Sequence, residues 1–281
     1  MSRAPARVLA LRAVFRAVGS MAPAVAARWA ETMFCTPPRH EPRSGDEAFL
    51  TTGRPFSVPC EGQELAAWEW GAGPTVVLVH GWGSRAGRFS VMARALAQSD
   101  FRVVAYDAPA HGRSTGRFAS LPEFARALRA VADTVGSVHG LVGHSLGGAA
   151  ATLALRDGLQ AEGIVLLAAP ADVTRFTTAF ADYFRLPPGT RAAMRRNLET
   201  RLRARWEELH IPTIARSLFV PALLLHDRED LDVPYSHGEE IAGAWQGARL
   251  VPTTGLGHRA ILRDPAVVGQ AVTFLRGAGE R

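Results

Sequence analysis

The chain opens on a helical pattern and then changes period. Leu11, Phe15, Val18, Ala22, Val25, Trp29 and Met33 recur every three or four positions, the spacing of one helix face. Gly19 and Ser20, followed by Pro23, divide this stretch into two predicted helices, with Ser20 or Ala22 capping the second and Pro23 in its first turn. Residues 36–55 run from Thr36-Pro37-Pro38 through charged positions to Gly53 and Pro55, and read as a linker. Phe56–Pro59 and Leu65–Trp70 flank Glu61-Gly62 as a β-hairpin. Beyond it the apolar positions stop alternating. Thr75–Val79, Arg102–Tyr106, Gly140–Val142, Ile164–Ala168, Ala222–Leu225 and Arg249–Val251 read as short, mostly apolar strands, the pattern of a parallel sheet buried on both faces.

Helical segments at Arg88–Gln98, Pro122–Thr134, Gly147–Arg156, Gly238–Trp245 and Pro265–Arg276 lie between or after these strands. The prediction is an α/β fold, a mostly parallel sheet wrapped by helices with an N-terminal hairpin. Residues 172–219 break the rhythm with 48 mostly helical, strand-free positions, and read as an inserted lid. The expected organisation is N-terminal amphipathic helices and linker over 1–44, core over 45–171, helical lid over 172–219 and the rest of the core over 220–281.

Composition refines this picture. Of the 281 residues, 47% are hydrophobic and 21% charged, enough apolar surface for a full core. No apolar run approaches the about 20 residues of a membrane span. Two cysteines, Cys35 and Cys60, are too few for a disulfide scaffold or a cysteine zinc site. The net charge of +6 is uneven, and all 32 basic residues are arginine, a usage that points to a GC-rich, bacterial coding sequence. Residues 1–44 carry seven Arg and two Glu, and 172–219 carry nine Arg and five acids, which leaves the remaining scaffold mildly acidic. The N-terminal segment has three readings: helices packed on the catalytic domain, peripheral contact of residues 1–34 with an anionic membrane, or a targeting segment. Arg12 and Arg16 interrupt any secretory apolar region.

The sharpest motif is Gly143-His144-Ser145-Leu146-Gly147, a G-x-S-x-G between a predicted strand and a helix of small residues. A serine on such a turn projects its hydroxyl, glycines on either side permit the turn, and the helix N-terminus faces any oxyanion that forms.

Here the sequence resembles the α/β-hydrolase family over about residues 56–277. His80-Gly81-Trp82-Gly83 matches the family's oxyanion loop, so the resemblance implies oxyanion amides from Trp82 and Leu146. Asp107-Ala108-Pro109-Ala110-His111-Gly112-Arg113-Ser114 resembles a second family loop, with Ala110 in place of glycine and with Asp107 and His111 structural. The family's chain order of serine, acid, histidine leaves His237 and His258, and Gly257-His258-Arg259 matches the family's histidine position. The acid stands four residues before the proline of a Val-Pro pair in the family, which gives Asp230, with Asp227 and Asp232 as alternatives.

The resemblance implies a serine hydrolase that cleaves carboxylic esters through Ser145, His258 and Asp230. Thioester, lactone or carbon–carbon bond hydrolysis on the same triad is the alternative, and a non-catalytic receptor a further one. Phe176, Phe180 and Phe184, with Trp82, are candidates for an apolar acyl pocket. Arg191, Arg195, Arg196 and Arg203 read either as a solvated helix face or as a lure for anionic acyl groups. No metal and no cofactor are expected, since no H-E-x-x-H or ligand-spaced His/Cys cluster occurs. The expected partner is a small acyl ester and not nucleic acid, and the expected location is cytoplasmic, with peripheral membrane contact through the N-terminal helices as an alternative to their packing on the catalytic domain.

Overall fold

The computed structural model describes residues 5–41 and 43–278. The chain divides into two compact units, one comprising Met1–Thr36 and Val173–Leu209, the other Pro37–Asp172 and His210–Arg281.

The larger unit is built on eight strands: β1 (Arg54–Cys60), β2 (Gln63–Trp70), β3 (Thr75–Val79), β4 (Arg102–Tyr106), β5 (Gly140–His144), β6 (Gly163–Leu167), β7 (Ala222–Asp227) and β8 (Arg249–Thr253). Their order is β1-β2-β4-β3-β5-β6-β7-β8. The hairpin β1–β2 pairs antiparallel with itself and with β4, and every other pairing is parallel. Every residue of β3, β5, β6 and β7 is buried, which explains their unbroken apolar runs. The prolines sit only on the two edge strands, Pro55 and Pro59 in β1 and Pro252 in β8, where a missing N–H costs no ladder bond.

The helices of both units are α1 (Ala6–Met21), α2 (Pro23–Cys35), α3 (Ser44–Leu50), α4 (Ser90–Ala97), α5 (Leu121–Val135), α6 (Leu146–Arg156), α7 (Thr174–Tyr183), α8 (Pro188–Leu202), α9 (Ile211–Ala215), α10 (Ser236–Ala244), α11 (Gly257–Ala260) and α12 (Pro265–Arg276). Local chemistry sets their ends. Ser120 accepts a bond from the Glu123 amide to cap α5, and Asp264 caps α12 through the Ala266 and Val267 amides. Pro122 and Pro265 occupy first turns, where no N–H is required.

Two sequence expectations are corrected. The stretch read as linker contains α3, because Phe49 and Leu50 enter the core and buried Asp46 binds Arg88 at 3.3 Å and Arg263 at 2.9 Å. The break between the two helices falls at Ala22, one of the two caps read for the second helix, with Pro23 in its first turn as expected, and not at Gly19-Ser20. Gly19 stays helical and buried, and a Cβ there would meet Thr190 Oγ1 at 2.6 Å.

The smaller unit joins the N-terminal helices to the inserted segment. Fully buried Phe15 stacks on Trp29 at 4.4 Å and meets Phe184 at 6.0 Å, and Phe34 meets Phe180 edge-on at 5.4 Å. Buried Ala26, Ala27 and Ala30 form the inner face of α2, small side chains that allow close helix approach. Glu31 pairs with Arg201 at 3.4 Å. No described helix is long and apolar enough to cross a membrane.

In the larger unit, β3 has β4 on one side and β5 on the other, so the direction in which successive strands are added reverses there. In an open α/β sheet, the carboxyl ends of strands at such a switch point frame a ligand crevice. The loop after β3 and the turn after β5 are the two sequence motifs already singled out.

Candidate active site

Ser145 stands between β5 and α6 with φ +53° and ψ −126°, a conformation that costs a non-glycine residue about 1–3 kcal/mol. Packing enforces this turn. A Cβ on Gly143 would fall 2.5 Å from Gly148 Cα, and one on Gly147 would collide with the Val79 carbonyl. The two glycines of the motif are therefore required by close approach of α6 to β5 and β3. The Ser145 amide donates to the Leu167 carbonyl at 2.8 Å, which ties the turn to β6.

Asp230 and His258 come from the loops after β7 and β8. Asp230 Oδ2 accepts a bond from His258 Nδ1 at 2.7 Å, while Oδ1 accepts from the Asp232 amide at 2.9 Å and the Val233 amide at 2.8 Å. Burial disfavours this carboxylate, but the bonds from His258 and Val233 outweigh burial and hold its pKa below the ordinary value. Asp230 is thus an anion that orients the imidazole and leaves Nε2 free to act as a base.

The other acids take different places. Asp227 is buried, and its Oδ2 accepts from the Thr253 hydroxyl at 2.8 Å and the Leu256 amide at 3.1 Å. It fastens the loop that carries His258 rather than touching the ring. Asp232 is exposed and lies 3.8 Å from Arg259.

Buried histidines form the frame around these groups. His144, next to Ser145, has its Nε2 2.8 Å from the His258 carbonyl, and its ring centroid is 4.8 Å from that of His258. Facing a carbonyl, Nε2 carries the proton. Burial lowers the His144 pKa to about 3, so the ring is neutral. This bond brings the His258 loop to the serine turn. Among the described residues no hydrogen bond closes the last link from the Ser145 hydroxyl to His258, the loose arrangement common before substrate binds.

His80 and His111 join the loops after β3 and β4. His80 Nε2 accepts from the Ala108 amide at 2.9 Å, so its Nδ1–H donates to the Gly81 carbonyl at 2.8 Å. His111 Nε2 accepts from the Gly83 amide at 3.0 Å, and its Nδ1–H donates to Pro109 O at 2.9 Å. Burial keeps His80 well below, and His111 at about 4 against, the ordinary histidine pKa. Asp107 accepts from the Ala86 and Arg113 amides at 2.8 Å each. Ala110 retains the left-handed conformation, with φ +64°, where the family has glycine. Chain order leaves His80, His111 and His144 outside the expected serine, acid and histidine set, and of the three only His111 reads as structural in the sequence; their positioning contacts join separate loops.

Trp82 lies on the loop pinned by these two histidines. Its ring meets His111 edge-on at 5.5 Å and is 38% exposed. Gly81 brings this loop against the serine, since a Cβ there would fall 2.8 Å from Ser145 Cβ. Leu146 opens α6, so its amide has no carbonyl one turn earlier to satisfy it. Phe176, Phe180 and Phe184 belong to the helical unit, where Phe180 and Phe184 pack against each other at 4.7 Å. In that unit Arg191 pairs with Asp182 at 2.5 Å, and Arg195 with Glu199 at 3.1 Å and Glu207 at 2.8 Å.

A sheet of this order, with chemistry on the loops after β3, β5, β7 and β8, defines the class, and sequence comparison agrees. Residues 72–206 match the family described as serine aminopeptidase, S33, and residues 203–280 that described as TAP-like protein. The chain belongs to the α/β-hydrolase family. It is similar to the monoglyceride lipase of Homo sapiens, 32% identical over 169 residues that cover 53% of this chain and 55% of that protein. It is also similar to a non-heme haloperoxidase of Rhodococcus erythropolis, 33% identical over 99 residues, 34% of this chain and 35% of that one. The chain thus spans about half or less of the length of these curated relatives. Among solved structures, an esterase from Pyrococcus furiosus aligns at TM-score 0.68 and 19% identity, over 86% of this chain and 98% of that one. A bromoperoxidase from Bacillus anthracis aligns at 0.62 and 18%, over 79% and 99%. Two further solved structures with this fold are esterases, one from Exiguobacterium antarcticum at TM-score 0.64 and 16% identity and one from Rhodococcus sp. at 0.60 and 23%.

Proposed function

We propose that the protein is a serine hydrolase that cleaves carboxylic esters through an acyl-enzyme. The observation that carries this reading is the 2.7 Å bond between buried Asp230 and His258, on a loop that His144 joins to the left-handed Ser145 turn. His258 Nε2 takes the Ser145 proton as Oγ attacks the ester carbonyl. The Trp82 and Leu146 amides hold the oxyanion, each well-placed donor being worth about 3–4 kcal/mol in the transition state. The tetrahedral species collapses to the acyl-enzyme, and His258 returns the proton to the departing alcohol. Water then repeats the sequence, frees the acid and restores Ser145.

Two measurements test this on chromogenic esters of increasing chain length. The wild type should hydrolyse them and take up a fluorophosphonate at Ser145. Ser145→Ala should lose labelling and reduce kcat by roughly 10^4–10^6. Ester turnover that survives Ser145→Ala would sink the mechanism. A parallel panel of thioester and lactone substrates identifies the preferred acyl bond on the same residues.

A further inference from the structure

The outer face of the α1–α2 hairpin is exposed and largely apolar. Its exposed residues include Leu9, Val14, Met21 and Val25, at 53%, 43%, 88% and 50% exposure. Exposed Ala10, Ala13, Ala17 and Ala24 lie between them. The inner face is separate, since Phe15 and Gly19 in α1 and Ala26, Ala27 and Ala30 in α2 are buried in the unit. A solvated helix face ordinarily carries polar residues of both signs. This one carries one sign only. Residues 5–30 contain no acid, and among the described residues Arg7, Arg16 and Arg28 are exposed and enter no ion pair. The arginines that do have local work are distinguishable. Arg12 turns inward, with Nε 2.7 Å from the Tyr183 carbonyl, and Arg191 and Arg195 pair with acids of their own unit.

Interleaving decides what this face fits. Arg7, Val14 and Met21 follow one another at seven-residue spacing along one edge of the exposed face, with Leu9 and Arg16 along the opposite edge and Ala10, Ala13 and Ala17 between them. A nucleic-acid backbone would satisfy the guanidinium groups and leave the apolar residues between them in water. A lipid interface satisfies both: the apolar side chains enter the acyl boundary, and each arginine lays its stem along it with the charge among the headgroups. Neither α1 nor α2 can cross a bilayer, so the hairpin lies in the interface plane. We infer that the outer face of α1 and α2 is a docking surface for an anionic lipid membrane, with Met21 at the leading turn. This inference does not depend on the ester-hydrolase reading.

Sedimentation of the full chain with unilamellar vesicles tests it. Vesicles of phosphatidylcholine containing 30% phosphatidylglycerol should bind the protein about a hundredfold more tightly than pure phosphatidylcholine. That is about fivefold for each of three arginines near an anionic surface. The preference should collapse as sodium chloride is raised from 50 to 500 mM. Combined Arg7→Gln, Arg16→Gln and Arg28→Gln should abolish the preference, with far-UV circular dichroism and thermal midpoint unchanged as the check on folding. Combined Met21→Glu and Val25→Glu should weaken binding to both vesicles. Equal binding to both compositions, no binding to either, or binding unaffected by the triple substitution would overturn the inference. Concentration-dependent dimerisation through Met21 and Val25 without vesicle binding would likewise overturn it and assign the face to a second copy of the chain.

Discussion

The two units of this protein keep their polar groups in opposite places. In the α/β unit the polar groups that matter are buried. Asp46, Asp107, Asp227 and Asp230, with His80, His111, His144, His226 and His237, are all less than a tenth exposed, and most hold a loop in position. The helical unit contains no histidine, its buried side chains are chiefly apolar, Phe15 with Leu, Ala, Met194 and Cys35, and its described arginines reach the surface. The first arrangement spends folding stability on pre-organised strand-end loops, which is what transition-state stabilisation needs. The second is held by shape and apolar burial, and its chemistry is directed outward.

The largest test of that contrast lies within the α/β unit, between two buried carboxylates three residues apart. Asp230→Asn should lower kcat for a chromogenic ester by about 10^4, because an amide can no longer hold the imidazole in the tautomer that leaves Nε2 free. Asp227→Asn should cost only about 10–100-fold, since Asp227 fastens the His258 loop through Thr253 and Leu256 without touching the ring. Equal losses would mean that loop position, not ring orientation, is what both carboxylates supply. The reverse order would reassign the acid.

In the helical unit the corresponding blow is apolar. Phe15 is fully buried and stacks on Trp29, so Phe15→Ala should cost about 3–5 kcal/mol. Amide exchange followed by mass spectrometry should accelerate across α1, α2 and α8 and leave β3–β6 protected. Loss of protection in the sheet as well would mean that the two units unfold as one.

How legible each unit is in the sequence follows from the same contrast. The active-site loops can be read because each is a contiguous motif whose glycines answer a local clash, such as Gly143 against Gly148. Asp230 can be located by its distance from Pro234. The strands can be read because burial on both faces leaves no polar alternation. The helical unit is less legible because its core joins residues far apart, Phe15 to Phe184 and Glu31 to Arg201, and no periodicity in one segment names its partner. α3 fails for the same reason, since the bond from Arg263 to Asp46 spans 217 residues. His111 can be read as structural from its loop motif, but the contacts of the frame histidines are hidden differently. Each neutral ring bridges two loops, and a residue list shows neither the bridge nor the proton.

Acid should therefore loosen the units unequally. Burial holds His111 at about 4, whereas in the unfolded chain it titrates near 6.5. The unfolded state binds the proton first as pH falls, so stability is full above pH 6.5 and is lost between there and about pH 4. For His111 alone the loss is about 2 kcal/mol between pH 7 and pH 5. Urea titrations at the two values should show it, and His111→Gln should remove that part of the slope. Exchange at pH 5 should rise in the loops after β3 and β4 and stay unchanged in α1 and α2, which have no such group. A uniform rise would contradict the assignment of acid sensitivity to the buried histidines.

The smallest expected effect bears on what holds the helical unit. Glu31 and Arg201 meet at 3.4 Å, with the Glu31 side chain 12% and the Arg201 side chain 35% exposed. A partly solvated pair of this kind gains little, because desolvation and side-chain ordering offset most of the attraction. Glu31→Gln retains an oxygen to accept from Arg201 and removes only the charge. It should cost less than about 1 kcal/mol at low salt, and the difference from wild type should vanish in 1 M sodium chloride, where screening reaches about 3 Å. A urea midpoint measured at both ionic strengths reads this directly. A loss comparable to that of Phe15→Ala, or one insensitive to salt, would mean that the unit is held by a buried charge like those of the α/β sheet, and the contrast between the two units would fail.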